Sequence, residues 1–189
     1  MKKIFKKLLF VLVTFISINH VNAETINSIT MDIFIESNGD AKITEIWKAT
    51  PTEKTEYYHA YYNIGNSQIK DLRVKDEKRD YSYKEWNINE SLNEKAYHYG
   101  YNYANNGVEL CFGKSSYATH TYTMEYTITN FVSNTSDGYQ MIYWNLLDNI
   151  TPAPGNVEIN ISSDVYFEDD VDVWGYGNYG GLAYVNNGK

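Results

Sequence analysis

The chain has 189 residues, 16 Lys+Arg against 24 Asp+Glu, a formal net charge of −8, 19 tyrosines and one cysteine. A chain of this size forms one domain and buries enough surface to fold without disulfides, and a lone cysteine excludes an intrachain bridge. The acidic balance excludes nucleic acid and anionic membrane or wall polymers as partners, since each repels it.

The amino end, MKKIFKKLLFVLVTFISINHVNA, sets Lys2, Lys3, Lys6 and Lys7 before an apolar run from Leu8 to Ile18 and closes on Val21-Asn22-Ala23. That run is too short for a bilayer core, which takes about 20 apolar residues, so residues 1–23 read as a signal peptide cleaved after Ala23. A retained anchor is the alternative. Export leaves residues 24–189 as an extracellular domain of charge −12, with 12 Lys+Arg against 24 Asp+Glu once the four lysines are gone.

Ile29, Met31, Ile33 and Ile35 alternate with Thr30, Asp32 and Phe34, and Ser37-Asn38-Gly39-Asp40 supplies the Asn-Gly of a two-residue hairpin turn into Ala41–Trp47. Thr50-Pro51-Thr52 breaks the pattern. Glu53–Gly65 (EKTEYYHAYYNIG) has no clean period and reads as an irregular strand, with a short helix as the alternative. Ile69–Val74 and Tyr81–Trp86 read as strands about the solvated turn Lys75–Asp80, and Asn87–Lys95 as a polar loop. Tyr97, Tyr99, Tyr101 and Tyr103 alternate with His98, Gly100 and Asn102, which makes an aromatic stripe on one face of an extended segment.

Asn106-Gly107 turns the chain into Val108–Phe112, where Cys111 reads as a buried, inert thiol rather than a reactive one. Thr119–Val132 (THTYTMEYTITNFV) organises the rest. His120, Tyr122, Met124, Tyr126 and Ile128 share one face and a row of threonines with Glu125 the other, the period of a half-buried strand. Tyr139–Leu147, apolar on both faces, reads as a central strand; Val157–Ile161 as another; Val171–Trp174 and Leu182–Val185 as the last. About ten short strands with turns between them, and no amphipathic helix, predict an all-β antiparallel sandwich, immunoglobulin-like or related. In such a fold most of the tyrosines are structural.

Six stretches taken together, NGDAKITEIW (Asn38–Trp47), EYYHAYYNIG (Glu56–Gly65), YNYANNGVELCFG (Tyr101–Gly113), HTYTMEYTITNFV, YQMIYWNLLDN and VWGYGNYGG (Val173–Gly181), resemble the extracellular N-terminal domain of a family of predicted bacterial membrane proteins, domain of unknown function 2207. The resemblance runs in order along essentially the whole chain after the signal segment. It implies an exported β-rich domain followed in typical members by a further strand or two, transmembrane helices and often a Gly-rich cytoplasmic tail. It implies no activity and no catalytic set. Asn186-Asn187-Gly188-Lys189 reads as a turn into a further strand; the family's closing strands and membrane helices are not in this sequence, and membrane association would run through those downstream helices.

The motifs that could carry chemistry are weak. Gly175–Gly180 fits G-x-G-x-x-G but precedes no helix, and Gly113-Lys114-Ser115 lacks the glycines of a phosphate loop. Both read as turns. His59, His98 and His120 are far apart in sequence and meet no second cysteine, and Asp169, Asp170 and Asp172 lack the ladder of a calcium loop. Ser115 or Ser116 with His120 is the one close Ser/His pair, without a nucleophile elbow. Glu45, Glu56, Glu109 and Glu125 are candidates for a glycosidase pair only if two converge. The expectation is therefore a non-enzymatic interaction or sensing module without cofactor or metal, whose partner is an envelope protein. The alternative is a carbohydrate-binding module that stacks sugars on Tyr97, Tyr99, Tyr101, Tyr103, Trp86 or Trp174; a secreted hydrolase is a third reading.

Overall fold

The computed structural model describes residues 23–104, 106–148, 150–165, 167–168, 171–175 and 181–185. Residues 1–22 of the expected signal peptide, Asp169, Asp170, positions 176–180 of the glycine motif and the terminal turn 186–189 lie outside the described residues.

The strands are β1 (Thr25–Ile35), β2 (Ala41–Thr50), β3 (Glu56–Tyr62), β4 (Ile69–Lys75), β5 (Ser82–Tyr83), β6 (His98–Ala104), β7 (Gly107–Gly113), β8 (His120–Ile128), β9 (Val132–Asn134), β10 (Gln140–Ile142) and β11 (Val157–Ser163), with one helical turn, α1 (Leu92–Lys95). They form a five-stranded sheet in the order β11-β1-β2-β8-β4, a four-stranded sheet in the order β3-β7-β6-β5, and a separate β9–β10 pair. The pairs are antiparallel except β1–β11 and β5–β6. The fold is the expected all-β sandwich, with a parallel strand at one edge of each sheet.

Local chemistry sets the register. The β1–β2 turn is one residue longer than the expected two-residue turn: Glu36 N–H donates to Asp40 O at 2.9 Å around Ser37-Asn38-Gly39. Gly39 and not Asn38 takes a left-handed φ (+84), which a Cβ would oppose, and its N–H donates to Glu36 O at 2.9 Å, placing Ile35 opposite Ala41. A register shift between Ile26 and Ser28 changes the phase of β1, so Ile26 and Ile29 both face inward although three residues apart. In β8 every even residue from His120 to Ile128 is buried and no odd one is. Each of Met124 and Ile128 contributes about 1.5–3 kcal/mol of burial to that face.

Opposite these residues the second sheet places Tyr57, Leu110 and Phe112. Trp47 meets the Phe112 edge at 5.8 Å and the Tyr57 ring at 6.0 Å, and Tyr57 meets Tyr122 at 5.9 Å, so the two sheets are joined by aromatic side chains. Cys111 is buried, and desolvation raises its thiol pKa, as an inert thiol requires.

Three further local expectations change. Tyr139–Leu147 is not a central strand. Only Gln140–Ile142 pairs, Tyr139, Met141 and Tyr143 are exposed, and Trp144 leaves the sheet to stack on Phe131 at 5.1 Å while donating to its carbonyl at 2.7 Å. Asn87–Lys95 is not wholly loop, because Ser91-Leu-Asn-Glu94 is a capping box whose Glu94 accepts the Ser91 N–H at 2.8 Å and starts α1. Val171–Trp174 and Leu182–Val185 form no strand; strand propensity without a paired neighbour leaves Trp174, Leu182 and Tyr184 largely exposed.

Candidate functional site

The tyrosine stripe exists, but its face is the inner one. Tyr99 pairs across from Phe112 and Tyr101 from Leu110, both core residues, so the odd side chains of β6 lean toward the first sheet. That sheet ends at β4, and Tyr101 closes the seam by accepting the Leu72 N–H at 3.1 Å. Tyr103 lies on Tyr101 (6.1 Å, 22° between planes) and is 77% exposed. Tyr97 departs from the alternation: a left-handed φ of 62 just before β6 sends its ring edge-on to Tyr81 at 5.6 Å, with the Arg79 guanidinium 4.3 Å from its centre. Trp86 covers Gly100, where an added Cβ would lie 3.2 Å from the Trp86 Cβ, and its indole donates to Glu56 at 2.9 Å. Trp174 is on another segment, 70% exposed. The six candidates therefore do not form one platform; Tyr99, Tyr101 and Tyr103 stay together, and Tyr97, Trp86 and Trp174 go elsewhere.

Beside Tyr99 the seam opens into a cleft of about 340 Å³ lined by Arg73, Val74, Lys75, Asp80, Tyr81, Tyr99, Thr123 and Glu125. Its size is that of a small-ligand site. Arg73 stands opposite Glu125 on β4 and β8, and the Lys75 ammonium is 3.9 Å from Glu125 with both half-exposed. Such a surface pair is worth under about 1 kcal/mol, so its charges stay available to a ligand. Tyr99 meets the exposed Tyr83 edge-on at 5.9 Å, which extends an aromatic wall from the cleft. The cleft offers cations, carboxylates and ring faces within one concavity.

A second cluster joins the turns at one end of the sheets. Ser116 Oγ lies 2.8 Å from His120 Nε2, and His120 Nδ1 lies 2.7 Å from Glu77 Oε1. The Ser/His pair visible in the sequence thus acquires an acid 43 residues away in the chain. Donor atoms of Asp76, Glu77 and His120 also lie within 4.8 Å of one another, a set that could hold a divalent cation. The fold already uses these atoms. Asp76 Oδ1 accepts the N–H groups of Lys78 and Arg79 at 2.8 and 3.0 Å, Oδ2 accepts the Tyr81 hydroxyl at 3.2 Å, and Glu77 Oε2 accepts the Thr121 N–H at 3.2 Å. Partial burial opposes ionisation of Asp76 and Glu77, but these donors outweigh it and hold both carboxyls below their usual range.

The four candidate glutamates go to four places. Glu125 faces solvent from β8; Glu109 takes Tyr62 and Asn102; Glu56 takes Trp86 and the fully buried Lys95, whose ammonium is 2.6 Å away. Glu45 lies in the core, where it accepts from Trp47 Nε1 at 2.7 Å and from the Tyr126 hydroxyl and meets His59 Nδ1 at 2.7 Å. Tyr61 extends the chain, its hydroxyl 2.6 Å from that of Tyr126 and its ring stacked on His59 at 4.4 Å. Desolvation disfavours the Glu45 anion, but His59 and the two hydroxyl and indole donors overcome it and lower its pKa. Glu45 shares its face of β2 with Ala41, Ile43 and Trp47, and that alternation was the signal for a buried acid. Lys114, of the supposed phosphate loop, is also fully buried and pairs with Glu24 at 2.6 Å. Gly113 before it serves contact, not phosphate: a Cβ there would stand 1.9 Å from Lys95 O.

Among the described residues no helix is long and apolar enough to cross a membrane. No curated protein matches the chain. Among solved structures, a mutant M1 zinc metallopeptidase from Deinococcus radiodurans bound to a Tyr-Ser-Ala substrate aligns at a TM-score of 0.30 and 7% identity. The alignment covers 60% of this chain and 22% of that one. A second structure of the mutant aligns at 0.30 and 7%, covering 61% and 23%. The family model described as the predicted membrane protein (DUF2207) N-terminal domain matches residues 25–188, and the chain belongs to that family.

Proposed function

We propose that this domain is a non-enzymatic, extracellular interaction or sensing module of a cell-envelope membrane protein. The observation that carries the reading is the cleft at the edge of the first sheet, where Arg73, Asp80, Glu125 and Tyr99 line one concavity between the two sheets. The signal-like residues 1–23 and membership of a membrane-protein family support an outward-facing position. The partner is another protein of the same envelope. A photo-crosslinking residue placed at Tyr99 or Tyr103 in intact cells should capture one discrete protein that a residue placed at Phe34 does not. Equal capture from all three positions counts against the cleft. A covalent fluorophosphonate adduct on Ser116 overturns the non-enzymatic part.

A second reading is carbohydrate binding, favoured by one feature: Tyr103 exposes a ring face backed by Tyr101, on the same strand as Tyr99, which lines a cleft whose mixed charges suit vicinal hydroxyls. On a glycan array this reading expects hits that Tyr99→Ala and Tyr103→Ala both reduce at least tenfold. An empty array removes it.

A further inference from the structure

Among the described residues the two main sheets leave four strand edges, and three of these are guarded. On β4 the ladder shifts between Lys70 and Arg73, Asp71 takes a left-handed φ of 60, Tyr101 occupies the Leu72 N–H and Tyr81 N–H takes the Val74 carbonyl at 2.8 Å. Lys70, Arg73 and Lys75 add charge. These are the devices that stop a sheet from growing. On the second sheet β5 is two residues long, and β3 is met by Asp148 at Ala60.

Among the described residues the β11 edge has no such device beyond the single charge of Glu158. Its seven residues, VEINISS, contain no proline, lysine or arginine, and pair with β1 without a break in register. Ile159 lies opposite Met31 on the core side of the sheet yet is 38% exposed, because nothing flanks β11 on its outer edge among the described residues.

We infer that this edge binds the same edge of a second copy, antiparallel and about a two-fold axis through Asn160. The hydrogen-bond phase requires the two-fold axis to pass through a residue, and full overlap of the strand puts that residue at Asn160. Ile29 N–H donates to Asn156 O at 2.9 Å while Ile29 stands opposite Val157. In a parallel ladder this turns the N–H and C=O of the even residues of β11 toward β1 and those of Val157, Ile159, Ile161 and Ser163 outward. Antiparallel strands exchange bonds only where outward groups meet. Pairing Val157 with Ser163 of the second copy, and Ile159 with its Ile161, satisfies that condition and overlaps the whole strand.

The side chains agree with the backbone. Ile159 and Ile161 cover each other on the core side, where Ile159 is now wet. On the other face Glu158 meets Ser162, and Asn160 meets its own copy. No like charges face one another, whereas a two-fold axis through Glu158 would oppose two carboxylates. The contact is isologous, as a closed dimer requires, and joins two five-stranded sheets into one.

The test uses the purified protein. Sedimentation velocity should show a monomer–dimer equilibrium that shifts with concentration. Ile159→Lys, and separately Ile159→Pro, which removes an N–H that faces solvent in the monomer, should abolish the dimer with the circular dichroism spectrum unchanged. Asn160→Cys should form a dimer disulfide spontaneously, because non-hydrogen-bonded antiparallel partners sit about 4.5 Å apart at Cα, within disulfide reach. Glu158→Cys should not, and Cys111 is buried and silent. A wild type that stays monomeric at every concentration overturns the inference, as does a dimer that survives both Ile159 variants. If Ile159→Lys and Ile159→Pro unfold, the cysteine pair decides: cross-linking at Glu158→Cys but not at Asn160→Cys overturns it.

Discussion

His59→Leu should cost the domain about 3–5 kcal/mol, the range for stripping a buried carboxylate of its partner. The Glu45 carboxylate would remain in the core with only the Trp47 and Tyr126 donors. Against a total stability of about 5–15 kcal/mol that is a large fraction, read as a fall in the urea midpoint at unchanged slope. Glu45→Leu should cost a similar amount, and the double variant clearly less than the sum, because the second substitution removes a charge the first left unpaired. Tyr126→Phe deletes one donor and should cost only about 1–3 kcal/mol. The geometry explains the ordering. His59 comes from β3 and Glu45 from β2, so their 2.7 Å contact ties one sheet to the other, and His59 Nε2 has no hydrogen-bond partner among the described residues. A double variant whose cost equals the sum of the singles would mean that the two side chains do not meet.

The second large effect is alkaline unfolding. Desolvation by burial raises the phenol pKa of Tyr57, Tyr61, Tyr81, Tyr122 and Tyr126, with nearby acids such as Glu45, Glu24 and Asp76 adding to it. A group raised in the folded state contributes stability that is whole below its unfolded pKa, about 10 for tyrosine. That stability is lost as pH climbs from there through the folded value. Each phenol lowers stability by about 1.4 kcal/mol per pH unit in this window, so five acting together remove several per unit. Tyrosinate absorbance and near-ultraviolet circular dichroism should therefore change together in one cooperative step above pH about 10. Smooth tyrosine ionisation with the dichroism intact would mean these phenols are not buried.

Where a period and a turn residue agreed, the fold was legible. The β1–β2 hairpin follows from alternation on both sides of Asn38-Gly39, and the inner face of β8 from alternation alone, because a slip of one residue would expose Met124 and Ile128. Alternation fixes which residues share a face, not what covers it. The tyrosines of β6 were therefore correctly grouped, yet whether they met water depended on where the other sheet ended. Tyr97 escaped the pattern through a left-handed backbone that no alternation encodes. The Ser116–His120–Glu77 contact was half visible, since its serine is four residues from the histidine and its acid is not local. The segments near Trp174 and Leu182 show the opposite failure, sequences suited to strands that meet no ladder.

The position of β1 carries a consequence for how the molecule is made. A chain delivered from its amino end exposes β1 early, and the hairpin with β2 closes locally over a tight turn. The other side of β1 waits for Val157–Ser163; Asp32 and Asn160, hydrogen-bonded in the finished sheet, are 128 residues apart. Until those residues emerge, an apolar strand has one flank without a ladder, and nonlocal pairing of this kind is slow to form. A nascent domain in that state is open to pairing with its neighbours. The yield of folded protein should then depend on how quickly the last third of the chain arrives, more than on how stable the finished sandwich is.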